Sequence, residues 1–303
     1  MNSPLPASTR QRLDELLVAR GLFPSRSRAR DAIERGTVTV DGTVARKPGQ
    51  TVLADCLIAI DDPAQAYVSR AALKLIAGLD RFGLDPAGCE ALDIGASTGG
   101  FTQVLLERGA AHVTAIDVGH GQMHPDVGGD PRVTDIEGLN ARDLSAADLA
   151  GRIPDFIVCD VSFISLKLAL PPVLAIAKDG ARAVFLVKPQ FEAGREAIGK
   201  GGLLKDPYDA ARVAGLLQDW LDGIPGWRSL GLHLSPIEGG DGNREFLLAG
   251  VKDAGVKNRG ARADECALHD HRARLPGRRC RQDRDRRGFH SVHAARRDRH
   301  RRA

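Results

Sequence analysis

From residue 91 onward short apolar runs alternate with helical ones, and nothing else in the chain restricts its fold so tightly. Residues 91–95, 112–118, 132–136, 156–161 and 181–188 are short and β-branched or apolar, as strands buried on both faces are. Helical spacing fills 101–108 and 166–178, and 208–222 follows the last strand. This order predicts an α/β domain with a doubly wound, mostly parallel sheet. Segments 230–234 and 245–248 read as a closing antiparallel pair. Such a sheet holds its ligands in the crevice beyond the carboxyl ends of its strands.

The first sixty residues follow another plan. Leu13, Leu16 and Leu17 recur at helical spacing, and Gly21 is suited to a left-handed cap. Ser25 is placed to cap a second helix that stops at Gly36. Residues 37–40 alternate as a strand, Asp41-Gly42 is a hairpin dipeptide, and 52–60 reads as one returning strand. Arg26, Arg28, Arg30 and Arg35 crowd the second helix, with Arg10, Arg12, Arg46 and Lys47 nearby. So many arginines predict a phosphate-contacting surface, to which Arg70 is also assigned. The organisation expected is a small α+β domain over 8–60, a linker over 61–67, the α/β domain over 68–250 and a tail over 251–303.

In the α/β domain the first strand runs into ALDIGASTGGF, with Asp93, Gly95, Gly99 and Gly100 about a strand-to-helix turn. Glycines there let backbone approach a ligand. Asp117 ends the second strand, where a carboxylate can accept both hydroxyls of an adenosine ribose. A dinucleotide is one candidate ligand. The order Asp-x-Gly-x-x-x-Gly-Gly departs from the dinucleotide fingerprint and favours S-adenosylmethionine, with its cationic end near a carboxylate.

Four further residues converge by topology. Lys74 lies on an amphipathic helix entering the domain, Asp160 and Lys188 end the fourth and fifth strands, and Glu245 follows a glycine-rich turn. A lysine closing an apolar run is costly to bury unless paired. Two lysines and two carboxylates beside a cofactor loop suit deprotonation of an unactivated hydroxyl. Lys188 in its neutral form would take the proton, Lys74 would stabilise developing negative charge, and Asp160 and Glu245 would orient the two lysines.

The stretch RLDELLVARGLFPSRSRARDAIERGTVTVDG resembles the alpha-L RNA-binding module. With YVSRAALKL, ALDIGASTGGFTQVLL, AIDVGHGQM, DVSFISL, LVKPQFEAG and GNREFLL, the chain resembles the TlyA-type family over residues 10–250. That resemblance implies a Rossmann-like, S-adenosylmethionine-dependent methyltransferase domain of FtsJ type behind the RNA-binding module. It implies methylation of a ribose 2′-oxygen, of cytidine, in 16S and/or 23S ribosomal RNA. The family's Lys-Asp-Lys-Glu tetrad maps onto Lys74, Asp160, Lys188 and Glu245. Its cofactor site maps onto Asp93, Gly95, Ala96, Ser97, Gly99, Gly100, Phe101, Asp117 and Asp160. Ribosomal RNA or a ribosomal subunit is the implied partner. Residues 122–140 depart from the family pattern, lacking the hydrophobic-basic helix expected there.

Charge and composition narrow the alternatives. The formal charge is +4, yet residues 251–303 hold 17 Lys and Arg against 7 Asp and Glu, which leaves 1–250 at −6. The tail also holds five of the nine histidines and shows neither period. It reads as a disordered basic arm or, preferably, as a GC-rich gene translated out of frame. Five scattered cysteines without CxxC spacing argue against disulfides and a zinc site. No apolar run has membrane-spanning length and no leader is apparent, so a cytoplasmic protein without integral membrane association is expected. Members of this family are also called hemolysins, and a membrane-active protein is therefore one rival reading. A non-catalytic RNA-binding scaffold and a small-molecule methyltransferase are the others.

Overall fold

The computed structural model describes residues 9–240 and 242–254, so the reading of the tail falls almost wholly outside the described residues. The N-terminal module comprises β1 (Arg10–Arg12), α1 (Leu13–Ala19), α2 (Arg26–Arg35), β2 (Val38–Val40), β3 (Thr43–Val44), β4 (Thr51–Leu53) and β5 (Ile58–Ile60). Leu13, Leu16 and Leu17 of α1 are buried in one cluster with Ala29, Ala32 and Ile33 of α2. Ser25 Oγ accepts from Arg28 N at 3.3 Å and caps α2, which ends at a left-handed Gly36. Asp41 and Gly42, both at positive φ, turn β2 into β3.

The returning strand expected over 52–60 is two strands. β4 pairs with β1 and β5 pairs with β2, in separate sheets. The break is a turn in which Cys56 N donates to the Leu53 carbonyl, and the Arg20 guanidinium donates to the carbonyls of Ala54 and Cys56 on it.

After a 3-10 turn (Pro63–Ala66) come α3 (Ala72–Phe82), β6 (Glu90–Ile94), α4 (Gly100–Glu107), β7 (His112–Asp117), α5 (Pro125–Gly128) and β8 (Val133–Glu137). They are followed by β9 (Phe156–Cys159), α6 (Leu166–Ala169), α7 (Pro171–Ile176), β10 (Arg182–Val187), α8 (Pro189–Glu192), α9 (Asp209–Asp222), β11 (Trp227–Leu234) and β12 (Phe246–Lys252). These strands form one seven-stranded sheet in the order β11-β12-β10-β9-β6-β7-β8. β12 is antiparallel to both neighbours, and the other pairings are parallel.

Successive residues of a strand face opposite sides. Leu92, Ile157 and Phe185 accordingly join one apolar layer, and Ala91, Phe156 and Val184 the other. α3 and α4 cover the second layer; α6, α7 and α9 cover the first. The helix expected over 166–178 breaks at Leu170, because Pro171 has no amide to continue it. Among the described residues no helix is long and apolar enough to cross a membrane.

Candidate functional site

The carboxyl ends of β6, β7, β9 and β10 open on a cavity of about 920 Å³. Gly95 follows β6 at φ +80°, and a Cβ there would lie 2.9 Å from the Asp160 carbonyl oxygen. Only glycine lets the first loop lie this close to the end of β9. At Gly99, φ +91°, a Cβ would meet Met123 Sδ at 2.5 Å. The space these glycines provide is therefore filled by protein atoms. Gly95 nevertheless borders the cavity, whereas Gly99 does not.

Phe101 and Ala96 are buried, and Gly100 abuts Ser69. Of the residues expected to bind cofactor, Gly95, Ser97, Asp117 and Asp160 line the cavity. Phe101 corrects that expectation outright, since its ring belongs to the apolar layer beneath α4.

Asp117 ties two loops together. Its Oδ2 accepts from Ser97 N at 2.9 Å and its Oδ1 from Gly119 N at 2.7 Å. Asp93 is wholly buried; Oδ2 accepts from Thr102 Oγ1 at 2.6 Å, and Oδ1 has no partner. Burial pushes its carboxyl up to about 7 against the lowering effect of the Thr102 bond, and the Asp160 charge adds to the rise.

The cavity fits an adenosyl sulfonium. Its size suits one small ligand, Val118, Leu139 and Val161 supply apolar walls, and Asp117 and Asp160 supply anions. The orphaned oxygen of Asp93 lies sealed beneath the same loop and does not line the cavity.

The tetrad forms two ion pairs. Lys74 Nζ donates to Glu245 Oε2 at 2.5 Å in a buried contact spanning 171 positions of sequence. Lys188 Nζ lies 2.6 Å from Asp160 Oδ1 without hydrogen-bond alignment, and donates instead to Ser162 Oγ at 2.8 Å. The pairs meet through sheet register. Val187 is opposite Phe246, so Lys188 and Glu245 are the next facing positions on neighbouring strands.

Sequence reasoning missed Ser162, Phe163 and Glu192. Phe163 sits at φ +66°, 90% exposed, with its ring centroid 5.1 Å from that of Phe191 at the cavity wall. The motif DVSFISL contained it, but exposure of an aromatic residue amid apolar neighbours leaves no trace in the pattern.

The arginines expected on an RNA surface divide. Arg28 donates to the carbonyls of Ala64, Tyr67 and Val68, Arg35 forks onto Asp62 at 2.8 Å and reaches Asp31, and Arg70 pairs with Asp31. This is a correction: these three guanidinium groups join the module to the segment leading into α3. Burial works to raise the Asp62 carboxyl, but Arg35 and the Ala64 amide outweigh it and hold it below the usual range. Arg12 and Arg26 share Asp14, which the Arg12 hydrogen bond holds at about 2 against its burial. Arg12, Arg26, Arg30 and Arg46 are exposed.

An FtsJ-like methyltransferase family model matches residues 67–252, and an S4 domain model matches residues 11–55. The 16S/23S rRNA (cytidine-2'-O)-methyltransferase TlyA of Mycobacterium tuberculosis is 46% identical over 245 residues, 79% of this chain and 89% of the relative. Hemolysin A of Brachyspira hyodysenteriae is 38% identical over 78% of this chain and 98% of its own length. A solved structure of a hemolysin-designated protein from Streptococcus thermophilus superposes with a TM-score of 0.63 at 39% identity. It covers 82% of this chain and 90% of that one.

Proposed function

Because this chain belongs to the TlyA-type family of methyltransferases, an S4 domain joined to an FtsJ-like catalytic domain, we propose that it methylates the 2′-oxygen of a cytidine ribose in ribosomal RNA. The observation that carries this reading is the pair of lysine–carboxylate contacts at adjoining strand ends beside the cavity.

S-adenosylmethionine, held by Gly95, Ser97, Asp117 and Asp160 with Asp93 beneath them, supplies an electrophilic methyl group when bound. The chain's own residues prepare the nucleophile. Lys188, as the free amine, accepts the 2′-hydroxyl proton while Asp160 and Ser162 fix its Nζ, and the resulting ammonium later returns the proton to water. Lys74, anchored by Glu245, places a positive charge near the oxygen as negative charge develops on it.

Phe163 offers an exposed ring at the mouth, and an unstacked base rests on such a surface. Arg12, Arg26, Arg30 and Arg46 face solvent and hold RNA phosphates. We place this activity in the cytoplasm, on ribosomal RNA or a ribosomal subunit.

The test is transfer of labelled methyl from S-adenosylmethionine to unmodified ribosomal subunits by wild type and Lys188→Ala. Label recovered as 2′-O-methylcytidine from wild type alone supports the reading. Label absent with wild type, or unchanged in the variant, rejects it.

A further inference from the structure

The loop from Asp160 to Ser165 forms one wall of the cavity, and its backbone is strained at Phe163. Phe163, at φ +66°, holds a conformation that side chains rarely adopt. Strain of this kind persists only where the surroundings over-determine it. Here one short stretch, Lys188–Glu192, supplies the restraints.

At the start of the loop Lys188 Nζ contacts Asp160 and Ser162. In the middle the Phe191 ring packs on Phe163. At the end Glu192 makes a double contact: Oε2 accepts from Ser165 Oγ at 2.5 Å, and Oε1 accepts from Leu166 N at 2.7 Å. Ser165 Oγ in turn accepts from Lys167 N at 3.1 Å. The first amide of α6 is thus satisfied by a carboxylate from another element rather than by water. Pro189 begins α8 and fixes its φ, so Lys188 and Glu192 sit at the two ends of one rigid turn.

We propose that Glu192 is a positioning residue for methyl transfer. By fixing the far end of the loop it holds Asp160 and Ser162 where they orient Lys188, without itself touching substrate or cofactor. The inference rests on the role proposed above for Lys188. A carboxylate that merely capped α6 would alter stability and leave the rate of a folded enzyme untouched. A positioning carboxylate alters the rate, because displacing a reacting group by about 1 Å costs roughly 10²-fold.

The experiment compares wild type, Lys188→Ala, Glu192→Ala, Glu192→Gln and Ser165→Ala. It reads single-turnover methyl transfer to ribosomal RNA, the S-adenosylmethionine dissociation constant, and melting temperature. Glu192→Ala is expected to slow transfer by roughly 10- to 100-fold while cofactor affinity changes by less than about threefold. Glu192→Gln, which keeps one acceptor, is expected to recover part of the rate. Ser165→Ala is expected to slow transfer less than Glu192→Ala, because it removes one of the two contacts that Glu192 makes with the loop and leaves the one to Leu166 N.

A wild-type rate in Glu192→Ala overturns the proposal, as does a loss of transfer matched by an equal loss of cofactor affinity. Should Glu192→Ala fail to fold, wild-type transfer in both Ser165→Ala and Glu192→Gln overturns it, and a slowed, folded variant of either kind sustains it. Inactive wild type, or an active Lys188→Ala, brings down the functional reading and this inference together. Active wild type with inactive Lys188→Ala leaves Glu192 to be judged alone.

Discussion

Lys188 and Lys74 are the same residue type in different surroundings, and breaking their contacts has different consequences. Lys188→Ala deletes a group at the cavity edge; transfer is expected to fall by roughly 10²–10⁴-fold with little change in melting temperature. Glu245→Ala leaves Lys74 buried without its anion, so both activity and stability fall, stability by about 3–5 kcal/mol, measurable by urea denaturation. Asp93 adds a pH signature. Its carboxyl is raised to about 7 by burial, so its contribution to stability is complete below the ordinary carboxylate range. That contribution is lost as pH rises from about 4 through about 7. Asp93→Asn is therefore expected to flatten this part of the stability profile and to gain on wild type at pH 8. Melting curves of both proteins without cofactor, at pH 5 and pH 8, check the sign. An unchanged difference between the two pH values would show that Asp93 does not titrate there.

At the scale of elements, α2 is fastened to the segment before α3 by Arg28, whose guanidinium meets three carbonyls. Arg28→Ala leaves those acceptors to water and is expected to expose the 61–67 segment to limited proteolysis. The cost in stability is expected to be about 1–3 kcal/mol. Most elements here were legible from local chemistry: buried strands from apolar runs, α2 from Ser25 and Gly36, the first hairpin from Asp41-Gly42. The failures had distant or overlooked causes. The break between β4 and β5 is a turn over 53–56 whose carbonyls Arg20 reaches from more than thirty positions away, so a window over 52–60 holds only part of what fixes it. The break between α6 and α7 is written in Pro171, although the flanking apolar spacing continues across it.

For the whole molecule, the arginine count overstated the surface available to RNA. Arg28, Arg35 and Arg70 face protein partners; spacing within α2 shows only the Arg35–Asp31 pair, because Asp62 and the 64–68 carbonyls lie outside α2. Replacing Arg26, Arg30 and Arg46 with alanine is expected to make the plot of log binding constant against log salt shallower by about 2–3 for ribosomal RNA. Salt titrations of the triple variant and wild type measure this, and an unchanged slope would remove these residues from the interface. The location of the site at strand ends was legible from topology, as was the set of four charged residues. Which lysine takes which carboxylate was not: the register of β10 on β12 sets Lys188 opposite Glu245, yet Glu245 takes Lys74 from α3 and Lys188 turns to Asp160 beyond β9.

That register also sets a clock. β12 lies inside the sheet, between β10 and β11, yet it is the last strand in the described chain, and Glu245 immediately precedes it. A chain emerging from the ribosome has Lys74, Asp160 and Lys188 long before it has the partner for Lys74. The sheet cannot close, and the second ion pair cannot form, until synthesis has passed Lys252. A nascent fragment that ends before Glu245 therefore has no complete tetrad.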